Sequence, residues 1–124
     1  HVAPAVTRIL GGLADTGVPR IHFGVGTGEL LELMAGMGAD VMGIDWRVPM
    51  DRARARLGDL VLQGNLDPAL CLAPFEVVRE RAYEILAETG GRRHVFNLGH
   101  GVLPATDPDT LTRLVEAVHA WRPE

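Results

Sequence analysis

Apolar residues along the chain follow two alternating spacings. Four short runs rich in Val, Ile, Leu, Met and Phe are nearly continuous in apolar character, as buried strands of a parallel sheet are. Each run is bounded by Gly, Pro, Asp or Asn, residues that favour turns. We therefore predict four buried strands, over residues 20–25, 39–46, 59–64 and 93–98.

Between these strands, apolar residues recur every three or four positions, the spacing of an amphipathic helix. Thr27 is predicted to cap the helix after the first strand, and Gly38 to end it. A further helix is predicted over 49–57, and Asp107 and Pro108 mark the start of the last one. The predicted inward faces are Val2, Val6, Ile9, Leu10 and Leu13; Leu30, Met34 and Met37; Val78, Ala82, Ile85 and Leu86; and Leu111, Leu114, Val115 and Val118.

Strand and helix alternate throughout, which predicts an α/β fold of parallel strands joined by right-handed helical crossovers. Two architectures have this pattern: an open doubly wound sheet and a segment of a (β/α)8 TIM barrel. A whole barrel takes about 250 residues, so a chain of 124 would be part of one. Because His1 opens directly into a helical pattern, we expect upstream sequence to be missing. No linker divides the chain, and residues 1–124 are interpreted as one partial domain.

Composition and charge argue against several classes of function. The formal net charge is -4, and Arg52, Arg54 and Arg56 are spread around a helix as solvated residues, so we expect no nucleic-acid partner. No apolar run approaches the ~20 residues that span a bilayer, so no membrane partner is expected. Cys71, the only cysteine, lies between leucines and is predicted to be a buried small side chain in a cytoplasmic protein.

In both architectures, ligands bind at the carboxyl ends of the strands. The first strand ends in Gly-Val-Gly-Thr-Gly at 24–28. This segment does not match the G-x-G-x-x-G phosphate loop, because Glu29 and Leu31 stand where the last glycine is required. We interpret these glycines as permitting a tight strand-to-helix turn, and we expect no cofactor there.

The next two strand ends carry polar side chains. Asp45 fits a general base and a turn residue paired with Arg47 equally well. Asp67 precedes a proline and is interpreted as structural. Gln63 and Asn65 are candidates to direct their amides toward a cavity.

His100 is the strongest candidate for a functional side chain. It lies in a glycine-flanked turn after the fourth strand, where small neighbours leave the ring accessible. A histidine there can donate a hydrogen bond to a substrate carboxylate or carry a proton. His1, His94 and His119 lack this setting, and His22, inside a strand, is interpreted as a packed, hydrogen-bonded residue.

Taken in order, the four strand ends resemble the C-terminal half of the uroporphyrinogen decarboxylase family. The matching segments are Phe-Gly-Val-Gly at 23–26, Gly-Ala-Asp-Val-Met-Gly-Ile-Asp-Trp at 38–46, Leu-Gln-Gly-Asn-Leu-Asp-Pro at 62–68 and Phe-Asn-Leu-Gly-His-Gly-Val-Leu-Pro at 96–104. The resemblance covers almost the whole chain, and the last two segments together are a specific combination.

This resemblance implies the last four units of a (β/α)8 barrel and a carboxy-lyase that acts without metal or organic cofactor. The family converts the four acetate side chains of uroporphyrinogen to methyl groups, giving coproporphyrinogen. Its motif histidine lines the substrate cleft, so His100 is expected to contact the tetrapyrrole, with Gln63, Asn65 and Asn97 as weaker candidates. The family's aspartate and arginines of the cleft belong to the N-terminal half. We therefore expect no catalytic residue in this chain and no activity from it alone.

Two alternatives stay open. Corrinoid and coenzyme M methyltransferases share the barrel but bind zinc through a His-x-Cys pair, whereas this chain has His22-Phe23-Gly24 there and Cys71 as its only thiol. The other alternative is a non-catalytic fragment that only assembles. Half a barrel leaves two sheet edges unpaired and its inner face uncovered, so a homo-oligomer is expected, as the full-length family forms homodimers.

Overall fold

The computed structural model describes residues 1–123 and contains one parallel sheet. Its strands are β1 (Ile21–His22), β2 (Val41–Gly43), β3 (Val61–Gln63) and β4 (His94–Val95). The strands lie side by side in chain order, and a helix lies between each strand and the next. The predicted α/β fold with four parallel strands is confirmed, although each strand is shorter than the apolar run that predicted it.

The helices of the described chain are α1 (Ala3–Gly12), α2 (Leu31–Ala35), α3 (Met50–Leu57), α4 (Phe75–Thr89) and α5 (Pro108–Ala120), with short 3-10 turns at Ala14–Thr16, Gly28–Leu30 and Pro68–Leu72. The last helix begins as predicted, because the Asp107 side chain accepts a hydrogen bond from the Asp109 amide at 3.0 Å. None of the helices within residues 1–123 combines the length and the apolar character that crossing a bilayer requires.

The segment after β1 differs from its sequence prediction. Thr27 does not cap a helix, since its hydroxyl donates to the Gly24 carbonyl at 2.7 Å. The helix α2 ends before Gly38, and Leu31 is buried where Leu30 was expected. A 3-10 turn, Gly28–Leu30, leads into α2. One turn of a 3-10 helix contains three residues, whereas one turn of an α-helix contains 3.6, so the side chains of this segment are rotated relative to the predicted face. Leu30 therefore faces solvent, whereas Met34 and Met37 of the same predicted face are buried.

The core lies between one face of the sheet and the helices. Met42 of β2 and Leu62 of β3 are neighbours in the sheet register, and neither is accessible to solvent. The helical side chains packed in this core are Leu10, Leu31, Met34, Met50, Ala53, Val78, Ala82, Ile85 and Leu114. Cys71 belongs to the same core, and its burial raises the pKa of the thiol, as expected for a packed small side chain.

The opposite face of the sheet is uncovered, and we call it the open face. It carries Ile21, Phe23 and Val95, which are 49%, 43% and 45% exposed. The first helix is poorly covered as well: Ile9 is exposed, and of its predicted face only Leu10 is buried. The described chain thus leaves apolar side chains exposed on one face of its sheet and on its first helix, which is what a segment of a barrel would do.

Arg54 has a structural role that the sequence did not predict. Its guanidinium donates to the carbonyls of Gly58 and Leu60 at 2.8 and 2.6 Å. It also donates to the carbonyls of Arg92 and Arg93 at 3.2 and 3.0 Å. These bonds join the end of α3 to the starts of β3 and β4. The prediction that Arg54 is a solvated surface residue is therefore wrong.

His94 joins β4 to the third strand end and to α4. Its Nε2 donates to the Gly64 carbonyl at 2.5 Å, and its Nδ1 lies 2.9 Å from the Thr89 hydroxyl. Burial lowers the pKa of His94, and the charge of Arg54 acts in the same direction. The Gly64 hydrogen bond and Glu88 oppose this shift, but the pKa stays below its ordinary value. The sequence pattern indicates no role for His94, and the structure shows it to be a packed structural residue.

We predict that acidification weakens the fold through His94. The unfolded side chain takes up a proton near its ordinary pKa of about 6.5, whereas the folded one resists protonation. Stability is therefore kept above that pH and lost as the pH falls, with a slope of at most about 1.4 kcal/mol per pH unit. Urea unfolding between about pH 7.5 and pH 5.5 measures this slope.

In the same experiment, His94→Gln should flatten the slope, because the titrating group is gone while an amide donor to Gly64 is kept. His119→Gln, at the exposed end of α5, is the matched control and should leave the slope unchanged. An identical slope in the parent chain and in His94→Gln would contradict the prediction.

Candidate functional site

The loops that follow the four strands meet at one edge of the sheet, as parallel strands require. Backbone hydrogen bonds continue beyond the strands: the Leu66 amide donates to the Asn97 carbonyl at 3.1 Å, and the Gly99 amide to the Leu66 carbonyl at 2.8 Å. The Trp46 amide lies 3.4 Å from the Gly99 carbonyl. We call these connected loops, residues 24–28, 44–48, 64–67 and 97–101, the strand-end rim.

A buried carboxylate lies at the centre of this rim. Asp45 is 2% exposed, and its oxygens accept hydrogen bonds from the Gly26 amide at 2.8 Å and the Arg47 amide at 2.9 Å. Nη1 of the Arg47 guanidinium adds bonds of 3.0 and 2.9 Å. Burial raises the pKa of this carboxyl, but the hydrogen bonds together outweigh that effect. The pKa of Asp45 therefore lies below its ordinary value.

This geometry favours the structural interpretation of Asp45 over a general base. Both carboxylate oxygens are occupied by groups of the same chain, and a carboxylate with a lowered pKa is a weak proton acceptor. The Gly26 amide, which a phosphate-binding loop would direct at its ligand, is directed at Asp45 instead. The glycine-rich turn and the second strand end thus support each other.

Asn65 is buried within the rim. Its Nδ2 donates to the carbonyls of Asp45 and Val48 at 3.0 and 2.5 Å. The preceding Gly64 has a φ of +134°, and a Cβ there would lie 2.8 Å from the Ile44 carbonyl oxygen, so no other residue fits. These contacts fix the third strand end against the second. Because Nδ2 is committed to backbone carbonyls, the geometry does not support an Asn65 amide directed into a cavity.

His100 is exposed on the rim, next to a glycine in very close packing. A Cβ on Gly99 would lie 2.6 Å from the Cβ of Trp46 and 2.7 Å from its Cα, so a side chain has no room there. His100 Nδ1 accepts a hydrogen bond from the Gly101 amide at 2.6 Å. Since Nδ1 acts as the acceptor, the neutral ring carries its proton on Nε2. Within residues 1–123, Nε2 has no partner and can donate to a ligand.

Gln63 and Asn97 lie on accessible parts of the structure. Gln63 is in register with Gly43 and Val95, so it belongs to the open face. Asn97 is exposed, and its Oδ1 accepts a hydrogen bond from the Leu98 amide at 2.9 Å, which leaves its Nδ2 as a donor. Gln63, Asn97 and His100 are thus accessible to a ligand, whereas the side chain of Asn65 bonds to the backbone.

Arg47 is a rim residue that the sequence identified only as a partner for Asp45. Its guanidinium lies over the Trp46 ring, with Cζ 4.5 Å from the ring centroid, and its side chain is 53% exposed. The signal in the sequence was a cation just after a strand end. That signal did not identify a ligand-binding residue, because an arginine two residues after an aspartate is as typical of a local ion pair as of a binding site.

We predict that Gly99→Ala destabilises the chain by roughly 1–3 kcal/mol, because the added methyl group meets the backbone of Trp46, which cannot rotate away. The urea midpoint, followed by tryptophan fluorescence, measures the loss. Gly101→Ala is the matched control: it adds the same methyl group on the other side of His100, with nothing within 4 Å of the new Cβ. Equal midpoints for the two variants would show that Gly99 is not tightly packed.

Comparison with protein families matches residues 1–121 to uroporphyrinogen decarboxylase (URO-D). The uroporphyrinogen decarboxylase of Streptomyces coelicolor is 60% identical over 120 residues, which are 95% of this chain and 34% of that protein. Those of Salinispora tropica and Thermobifida fusca are 56% and 58% identical, each over 96% of this chain and over 33% and 34% of their own length.

The chain therefore spans about a third of the length of the curated relatives that it matches. Four parallel strands in that fraction of the length agree with a partial TIM barrel. The resemblance that the strand ends indicated is confirmed: the chain belongs to the uroporphyrinogen decarboxylase family.

Proposed function

We propose that this chain forms the C-terminal part of a uroporphyrinogen decarboxylase barrel and one wall of its substrate cleft. The whole enzyme removes the carboxyl groups of the four acetate side chains of uroporphyrinogen, giving coproporphyrinogen, without metal or organic cofactor. The observation that carries the proposal is the placement of His100. It is exposed at the carboxyl ends of the strands, where barrel enzymes bind their substrates, and its Nε2 has no partner among residues 1–123.

In this role, His100 donates a hydrogen bond from Nε2 to a carboxylate or ring group of the tetrapyrrole. The side-chain amides of Gln63 and Asn97 are weaker candidates for further contacts. A hydrogen bond to a charged group contributes about 1.5–3 kcal/mol. Such bonds hold one acetate arm at a time in a fixed orientation for reaction.

The decarboxylation step requires a negatively charged group that the residues of this chain do not supply. A ring carbon of the pyrrole takes up a proton, the bond between the acetate methylene carbon and the carboxyl carbon breaks with release of carbon dioxide, and its electron pair passes into the ring. A proton added to the methylene carbon and loss of the first proton from the ring then complete the methyl group. The cation on the ring requires a nearby negative charge. Asp45 cannot supply it, because its oxygens are occupied by Gly26 and Arg47. We therefore infer that the catalytic carboxylate comes from outside this chain and that the chain alone is inactive.

This function is tested by replacing the matched third of the Streptomyces coelicolor relative with this chain. The chimera should form coproporphyrinogen from uroporphyrinogen, and the 124-residue chain alone should form none. Within the chimera, His100→Ala should lower kcat/KM roughly 10- to 100-fold, the loss of one hydrogen bond to a charged group. The assay is separation of the oxidised porphyrin products by chromatography.

His119→Gln, on α5, is the control substitution and should leave kcat/KM unchanged. Product formation by the isolated chain would disprove the inactivity of the fragment. An inactive chimera, or a His100→Ala chimera with the parent's kcat/KM, would refute the proposed role of this wall.

We also propose that the isolated chain associates with a second copy of itself through the open face. Ile21, Phe23 and Val95 expose apolar surface there, and β1 and β4 are edge strands with unpaired backbone groups. Covering this face in a dimer removes the same apolar surface from water that the rest of a barrel would cover. This assembly is the non-catalytic behaviour expected of the fragment, and it does not depend on substrate.

Size exclusion with light scattering tests the assembly. We expect the parent chain to elute as a dimer, and Phe23→Glu to shift it to monomer, because a buried charge at the interface is costly. Val77→Glu on α4 is a matched control, since Val77 is 43% exposed, as Phe23 is, but lies on a helix away from the open face. A monomeric parent chain would refute association.

A further inference from the structure

Arg47 carries donors that the described chain does not use. Its Nη1 contacts both oxygens of Asp45, whereas within residues 1–123 neither Nε nor Nη2 has a hydrogen-bond partner. Nε and Nη2 lie on one edge of the planar guanidinium, with parallel N–H groups whose spacing matches the two oxygens of a carboxylate. One edge of Arg47 is thus anchored and another is available to a ligand.

The anchored edge fixes the position of the available one. The Arg47 guanidinium lies between the Asp45 carboxylate and the face of the Trp46 ring, 4.5 Å from its centroid. Asp45 is itself held by the Gly26 and Arg47 amides. An arginine fixed in this way loses little side-chain entropy when it binds a ligand, unlike a free surface arginine.

Arg47 also lies on the same rim as His100. Trp46, over which the guanidinium stacks, packs through its backbone against Gly99, the residue before His100. The two side chains are therefore supported by one set of contacts at the carboxyl end of the sheet. Arg47 is the only arginine of the rim, and its side chain is half exposed. A polyanionic ligand in contact with His100 would therefore lie near the Arg47 guanidinium.

We propose that Arg47 binds a carboxylate of the tetrapyrrole substrate through Nε and Nη2. This proposal rests on the proposed function, because it takes the ligand of the rim to be uroporphyrinogen, whose ring carries both acetate and propionate arms. Either arm presents the same carboxylate chemistry to the guanidinium. Arg47 would then supply a positive group to a polyacidic substrate from within an acidic chain of net charge -4.

Titration of the full 124-residue chain with uroporphyrin, the stable oxidised octacarboxylate, tests this proposal by the change in porphyrin fluorescence. Arg47→Gln should raise the Kd roughly 10- to 100-fold, the loss of a charge-assisted bidentate contact. The dependence of Kd on salt should also become weaker, since one ion pair with the ligand is lost. A residue that only supports the fold would not change this salt dependence.

Two further variants separate binding from folding. Arg47→Lys keeps a cation beside Asp45 but lacks the planar guanidinium and its two parallel N–H donors. Its urea midpoint should therefore stay near that of the parent chain, whereas its Kd for uroporphyrin should rise. Arg79→Gln removes the same charge from the exposed surface of α4 and should bind as the parent chain does.

Coproporphyrin, which keeps the propionate arms and lacks the acetate arms, identifies the arm that is bound. If Arg47→Gln weakens both porphyrins equally, the contact is to a propionate; if it weakens uroporphyrin alone, the contact is to an acetate. Both outcomes support the site. Unchanged Kd values for Arg47→Gln and Arg47→Lys, with His100→Ala still weakened, would overturn the Arg47 site and leave the proposed function standing. Failure of the parent chain to bind uroporphyrin would overturn the Arg47 site, whereas an inactive chimera would overturn the proposed function.

Discussion

The strand-end rim depends on the buried carboxylate of Asp45. Its side chain holds the Gly26 amide of the first loop, and its backbone carbonyl accepts a hydrogen bond from Asn65 of the third. A carboxylate removed from water is stable only when it is compensated by donors, and here two amides and a guanidinium provide them. One residue therefore joins three strand ends.

The fourth strand end is attached next to this carboxylate. Trp46 directly follows Asp45 and leaves room only for a glycine at position 99, which places His100 beside it. The same indole supports the guanidinium of Arg47. Exposed side chains are thus held by buried contacts, which is how a site can be rigid and accessible at once. The open face behind the rim has no such cover within residues 1–123, and its apolar residues are the basis of the proposed association.

The sequence alone determined the order of the strands and helices, because these signals are local. Apolar runs marked the strands, and Asp107 with Pro108 marked the start of α5 within a few residues. The strand-end motifs also indicated the family, and the loops that carry them meet in space at the carboxyl edge of the sheet. The exposure of His100 followed from its glycine neighbours, and it is confirmed.

Only the tertiary structure decided the roles that depend on distant backbone groups. Asp45 could not be assigned from the sequence, because the amide that fixes it belongs to Gly26, in a different loop. Asn65 and His94 bond to carbonyls 20 and 30 residues away, and Arg54 bonds to carbonyls 38 and 39 residues away. Residue spacing along the chain does not reveal which carbonyls approach a side chain. Packing sets those distances, and hence which polar residues hold the rim and which remain available to a ligand.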